Sequence, residues 1–168
     1  MGLNKMSVHD WNRLNPELLS WIKTQLGSEF DEFAKTCERI GLLSSNFLPL
    51  NEKLSTSSSF DVKLACFFCS SAVVSAANYY GGQSNLYMAR RLAVWALALV
   101  PSHVPALMCL ASVCQFEGNK QGMSECYRKC EVIKERIMNT PDSDLEAYER
   151  GLRDLFQSVY SADIRWPG

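Results

Sequence analysis

Laid over itself at an offset of about 34 residues, the chain repeats its pattern of small and apolar side chains. Ala77 falls on Ala111, Tyr80 on Cys114, Ala93 on Tyr127 and Ala96 on Cys130. Self-similarity at such a period marks an architecture whose units cannot bury their apolar faces alone and must stack. Small residues let the two antiparallel helices of one unit approach closely, and the larger tyrosines fill the space toward the next unit. The expected fold class is therefore all-α, with helix-turn-helix repeats forming a short α-solenoid. A helical bundle with alanine-rich seams is the alternative.

Helix punctuation supports this reading. Asn15-Pro16-Glu17 supplies a cap, a proline at the first helical position and an acid facing the macrodipole; Gly27 ends that helix. Ser28 caps the next, whose stripe is Phe30, Phe33, Cys37 and Ile40 and whose stop is Gly41. A short turn is expected around Ser7 to Leu14. Residues 42–59 hold Pro49 and the run from Ser55 to Ser59, an irregular connector with a short helix near Leu50 to Leu54. From Phe60 a helix runs to Tyr80 and closes on Gly81-Gly82. Asn85 caps another that stops at Pro101. Ser102 or His103 caps a third, ending at Gly118-Asn119, and a fourth runs from about Gln121 to Met138. Ser143 with Glu146 forms a capping box for a last helix carrying Leu145, Tyr148, Leu152, Leu155, Phe156 and Val159. One domain is expected: N-terminal helices over 1–41, the connector over 42–59, repeats over 60–138, and a capping helix with tail over 139–168.

Ala89, Ala93, Ala96-Leu97 and Pro101 resemble the second half of a tetratricopeptide repeat. Leu110-Ala111, Cys114, Gly118, Tyr127 and Cys130 resemble the repeat that follows. The resemblance covers about Ser70 to Ile137, or residues 70–137. The chain departs from the family pattern at Cys114, where a tyrosine is preferred, at Met123 and Cys130, where alanine is preferred, and at Ser84, where the turn prefers glycine. Two repeats bury too little surface to stand alone, so the flanking helices are expected to cap the ends.

The resemblance implies a concave face lined by Val74, Ser75 and Asn78 in the first repeat and by Met108, Cys109, Ser112 and Phe116 in the second. Some family members grip a chaperone's C-terminus through Lys, Asn and Arg. Only Asn78 matches that clamp, and Val74 and Cys109 stand where it needs Lys and Asn. The implied groove is uncharged and suits an apolar or helical segment of another protein. The chain's own N-terminal arm is the competing occupant of these positions. Trp11, Trp21 and Trp166 are further anchors for a core or an interface.

Chemistry has little to stand on. Catalysis needs a nucleophile, a base and an orienting group within reach of one another, and the chain has two histidines, His9 and His103. His103 follows Pro101-Ser102 at a helix start, where a turn or cap role is expected. Gly81-Gly82 lacks the strand and the Lys-Ser/Thr of a phosphate loop. Cys66 and Cys69, with Cys126 and Cys130, supply two pairs that tetrahedral zinc could use. Both pairs fall inside helices without a polar knuckle, so they read as buried thiols. All seven cysteines read as reduced, which places the chain in the cytoplasm.

A net charge of -1 provides no field for nucleic acid or anionic lipid. No segment reaches the roughly 20 apolar residues of a membrane span. Lys5, His9, Asp10 and Arg13 interrupt any apolar leader, and Met6 stands where a myristoylation signal needs Ser or Thr. The functional expectation is a non-enzymatic, cofactor-free interaction adaptor or chaperone-like module that binds a peptide or helix. The alternatives are a structural subunit that self-associates, as a homodimer or in a larger complex, and a cysteine-based metal or redox protein.

Overall fold

A computed structural model of the chain describes Trp11, residues 14–42 and residues 62–158. These residues are mostly helical, with no strand among them. The sequence expectations for Ser7 to Leu14 (apart from Trp11 and Leu14), for the connector beyond Leu42 and for Val159 and the Trp166 tail lie outside the described residues.

Helix α1 (Pro16–Leu26) begins as its sequence dictates. The Asn15 side chain accepts from the Glu17 N–H at 2.9 Å, and Pro16 occupies the first turn, where it sacrifices no hydrogen bond. Leu18, Ile22 and Leu26, one turn apart each, are its buried stripe. A 3-10 turn (Gly27–Glu29) then leads into α2 (Phe30–Ile40). Ser28 lies inside that turn and is not the cap; Glu29 holds the N-cap position and makes no capping bond. The two helices meet tip to tail, so the 3-10 turn itself satisfies backbone groups that a side chain would otherwise cap. Phe33 and Cys37 are fully buried, and Gly41, at φ 68°, closes the helix with its N–H on Cys37. Phe33 stands edge-on to Trp95, with ring centroids 5.4 Å apart.

The chain then forms two helical hairpins, α3 (Val62–Gly82) with α4 (Leu86–Leu99), and α5 (Val104–Phe116) with α6 (Lys120–Met138). In the first, Ala77, Ala89, Ala93 and Ala96 are all fully buried. Ser70 satisfies its buried hydroxyl by donating to the Ala96 carbonyl at 2.9 Å, which ties α3 to α4. Helix α3 closes on Gly81 and Gly82, as the sequence predicts. They form its last turn, and the chain reverses at Ser84, a non-glycine residue at φ 62°.

The two turns share three backbone bonds and a side-chain cap. Gln83 N–H donates to Tyr79 at 3.1 Å and Glu117 N–H to Val113 at 3.0 Å. Ser84 donates to Gly81 at 3.0 Å and Gly118 to Gln115 at 3.1 Å. Asn85 donates to Tyr80 at 2.9 Å and Asn119 to Cys114 at 2.8 Å. The Asn85 side chain caps Met88 at 3.2 Å, as Asn119 caps Gly122 at 2.9 Å. Every pair is separated by the same offset as the alanine pattern. Ser84 and Gly118 (φ 75°) occupy the same left-handed corner, so the serine performs a backbone task for which glycine carries no steric cost.

Beyond α6, a 3-10 turn (Asp142–Asp144) precedes α7 (Ala147–Ser158). The expected Ser143–Glu146 capping box is displaced. Ser143 sits in the 3-10 turn, and Glu149 reaches back to accept from the Glu146 N–H at 3.2 Å. Leu152 and Phe156 of α7 close over Val104, Leu107, Cys130 and Ile137, a second buried cluster at the far end of the stack. The first cluster joins α1 and α2 to α3 and α4 through Leu18, Ile22, Phe33, Leu92 and Trp95. A fully buried side chain of this size contributes roughly 1.5–3 kcal/mol, so the flanking helices provide the burial that two hairpins lack. No described helix is long and apolar enough to cross a membrane.

Candidate functional site

Helices α3 and α5 pack side by side, and they carry the residues that the repeat register places on a concave face. Ser75, Asn78, Ser112 and Phe116 are exposed, Phe116 at 75%. Met108 is half-buried against the second cluster. Val74 and Cys109 are corrections to the sequence reading: at 3% and 6% exposure they belong to the first buried cluster, together with Leu18 and Ile22 of α1. They line the core and not an open face. The hydroxyls of Ser75 and Ser112 turn back onto their own helix, donating to Ser71 at 3.1 Å and Met108 at 3.2 Å. Their hydrogens are thereby spent locally, and the open face presents little polarity beyond Asn78. Tyr79, one residue further along α3, is 65% exposed and stacks edge-on against Tyr80.

A second concavity lies outside the sequence expectations. A groove of about 980 Å³ runs between α1, the first turn of α3 and the start of α7. Trp21, Ser20 and Thr24 form one wall, Leu145 and Arg150 the other, and the Lys63–Glu146 ion pair, at 2.6 Å, bridges them. Trp21 and Lys63 also line an adjoining recess of about 140 Å³ floored by Cys66, Leu99 and Tyr148. The sequence singles out Trp21, but no local pattern links residues so far apart in the chain.

His103 does not cap α5 with its side chain. It is fully buried, its ring lies 5.2 Å from that of Phe67, and Nε2 is 2.9 Å from the Ser71 hydroxyl. Ser71 already donates to the Phe67 carbonyl at 2.9 Å, which assigns the proton to His103 Nε2 and leaves Nδ1 bare. Among the described residues Nδ1 has no hydrogen-bond partner, and burial pushes the imidazole down to about 4. Such a ring is neutral near pH 7 and has no access to substrate.

Five of the cysteines divide between the two buried clusters. Cys66 and Cys69 join Cys37 in the first cluster, and Cys130 sits in the second. Among the described residues, no group of three or more His, Cys, Asp or Glu is placed to hold a metal ion. Burial drives the thiols of Cys37 and Cys69 far above the ordinary range, Cys109 to about 11 and Cys130 to about 12. These are protonated, unreactive thiols at neutral pH.

Near α7, burial alone would raise the Glu149 carboxyl. The Arg136 guanidinium at 2.7 Å and the Glu146 N–H hold it below the usual carboxylate range instead. This pair fastens α6 to α7. Arg90 and Glu117 form a further ion pair, which joins α4 to the second turn. No family model, no curated protein and no solved structure matches the chain.

Proposed function

We propose that the chain is a non-catalytic interaction module of the tetratricopeptide kind, acting in the cytoplasm as an adaptor or chaperone-like protein. It binds an apolar or helical segment of a partner protein across the exposed face of α3 and α5. The observation that carries this reading is the set of backbone and cap bonds that the two hairpin turns share at the repeat offset. Turns that share this bonding place the two hairpins alongside each other, with α3 and α5 side by side. Phe116 and Tyr79 supply exposed aromatic area on those helices, the residue class most enriched at binding hot spots.

The test is panning of a displayed random-peptide library on the immobilised chain. Recovery of related apolar or amphipathic sequences, with retention lost in Phe116→Asp and kept in Val132→Asp on α6, supports the reading. Unrelated sequences, or retention indifferent to Phe116→Asp, contradict it. Self-association is the second reading, favoured by exposed Val94 and Val132 on the outer helices. Light scattering over a range of concentrations separates the two readings, since a mass that rises with concentration belongs to the second.

A further inference from the structure

The second hairpin brings two thiols together from opposite helices. Cys114 is buried near the end of α5, and its Sγ lies against the backbone of α6, where a Cβ added to Gly122 would come within 3.0 Å. Cys126 stands one helical turn beyond Gly122 on the same row of α6. Side chains on a helix lean toward its N-terminus, so the Cys126 sulfur is directed back at the space that Cys114 fills. The two thiols are close enough to act on each other electrostatically.

Arg90 of α4 acts electrostatically on the Cys114 thiol, and its charge also reaches Cys126. Glu117 anchors that guanidinium through their ion pair. Only Cys126 of the seven cysteines is partly exposed; the other six are buried.

Cys130 offers Cys126 no alternative partner. It lies one turn along the same helix, where Cβ atoms stand about 5–6 Å apart, beyond the roughly 3.5–4.5 Å that a disulfide spans. Cys114, on the facing helix, escapes that constraint.

We propose that Cys114 and Cys126 form an oxidisable dithiol whose disulfide staples α5 to α6 on exposure to a hydroperoxide. Cys126 meets the oxidant. It loses its proton to solvent, and the thiolate attacks one peroxide oxygen, giving a sulfenic acid and releasing hydroxide, which takes up a proton to become water. The Cys114 sulfur then attacks the sulfenic sulfur. The S–O bond breaks, and the departing hydroxide accepts the Cys114 proton. Two thiols and one hydrogen peroxide become one disulfide and two waters. The positive charge of Arg90 stabilises the negative charge that develops on the Cys114 sulfur. Burial raises the Cys126 thiol above its ordinary value while Lys129 and Arg90 pull it back, so oxidation is expected to quicken as pH rises. The staple would immobilise the hairpin that carries Phe116, two residues beyond Cys114.

The experiment treats the native full-length chain with hydrogen peroxide, then unfolds it, alkylates the remaining thiols and digests it with trypsin. Cleavage after Lys120 separates the two cysteines, and cleavage after Arg128 and Lys129 separates Cys126 from Cys130. The expected result is two fewer alkylated cysteines of the seven, with one linked peptide pair containing Cys114 and Cys126. Both Cys114→Ser and Cys126→Ser should lose that pair. Circular dichroism of Cys126→Ser, a change at a partly exposed site, checks that its helices are intact. Seven free thiols after treatment, a bridge to any other cysteine, or linkage only between two chains overturns the proposal.

Discussion

Acidification from pH 7 to pH 5 is expected to weaken the fold through one side chain, His103. In the folded chain Nε2–H is bound to Ser71, and buried Nδ1, beside Phe67, has no partner among the described residues. Protonation would place a charge and an unmatched donor there, so the native ring resists it down to about pH 4, against 6.5 when unfolded. A depressed histidine contributes its full stability above the unfolded value, and that contribution is lost as pH falls from 6.5 toward 4. At about 1.36 kcal/mol per unit the whole loss is about 3 kcal/mol, of which about 2 kcal/mol falls between pH 7 and pH 5. For a typical urea dependence of about 2 kcal/mol per molar, the midpoint moves down by about 1 M. The assay is urea unfolding followed by helical circular dichroism at both pH values, on the native chain and on His103→Gln. The glutamine can keep a donor to Ser71 and does not titrate. Every other titrating group is common to the two proteins, so the difference between them isolates His103. Equal pH dependence in the two proteins would refute the reasoning.

Three further outcomes follow from the packing. Ser84→Gly should stabilise by about 1 kcal/mol, and Gly118→Ala should destabilise by a similar amount, because both positions hold the left-handed corner; thermal unfolding of the two variants checks the pair. Gly122→Ala should cost about 1 kcal/mol despite alanine's better helix propensity. Its Cβ would sit 2.6 Å from the Asn119 amide nitrogen and disturb the cap of α6, a loss that denaturant titration can measure. Phe33→Ala should cost about 3–5 kcal/mol, since the ring is fully buried against Trp95, and hydrogen exchange should then quicken in α1 and α2 before α5 and α6.

Local chemistry makes most of the helices legible in the sequence. Asn15-Pro16, Gly27, Gly41, Asn85 and Asn119 sit at helix ends in side-chain or backbone roles that their residue types favour. The repeat is legible because its turns are built from the backbone, which tolerates Ser84 in place of glycine. What escapes the sequence is decided by neighbours distant in the chain. Val74 and Cys109 occupy the register of an open face, yet they belong to the core that α1 shares with the hairpins. His103 has the position of a cap, but Phe67 and Ser71 enclose its ring. The capping box near α7 shifts by three residues because Glu146 and Glu149 satisfy the same pattern once Ser143 is taken into a 3-10 turn. The groove beside Trp21 requires α1, α3 and α7 together, and no periodicity joins them.

The central claim is that a partner segment lies across α3 and α5, and the most direct test is an NMR titration of the labelled chain with a peptide selected by panning. The account predicts saturable shifts concentrated at Ser75, Asn78, Tyr79, Ser112 and Phe116, with Val74 and Cys109 responding only as their buried surroundings adjust. Shifts concentrated instead at Trp21, Lys63 and Arg150, or no saturable change at any residue, would contradict it.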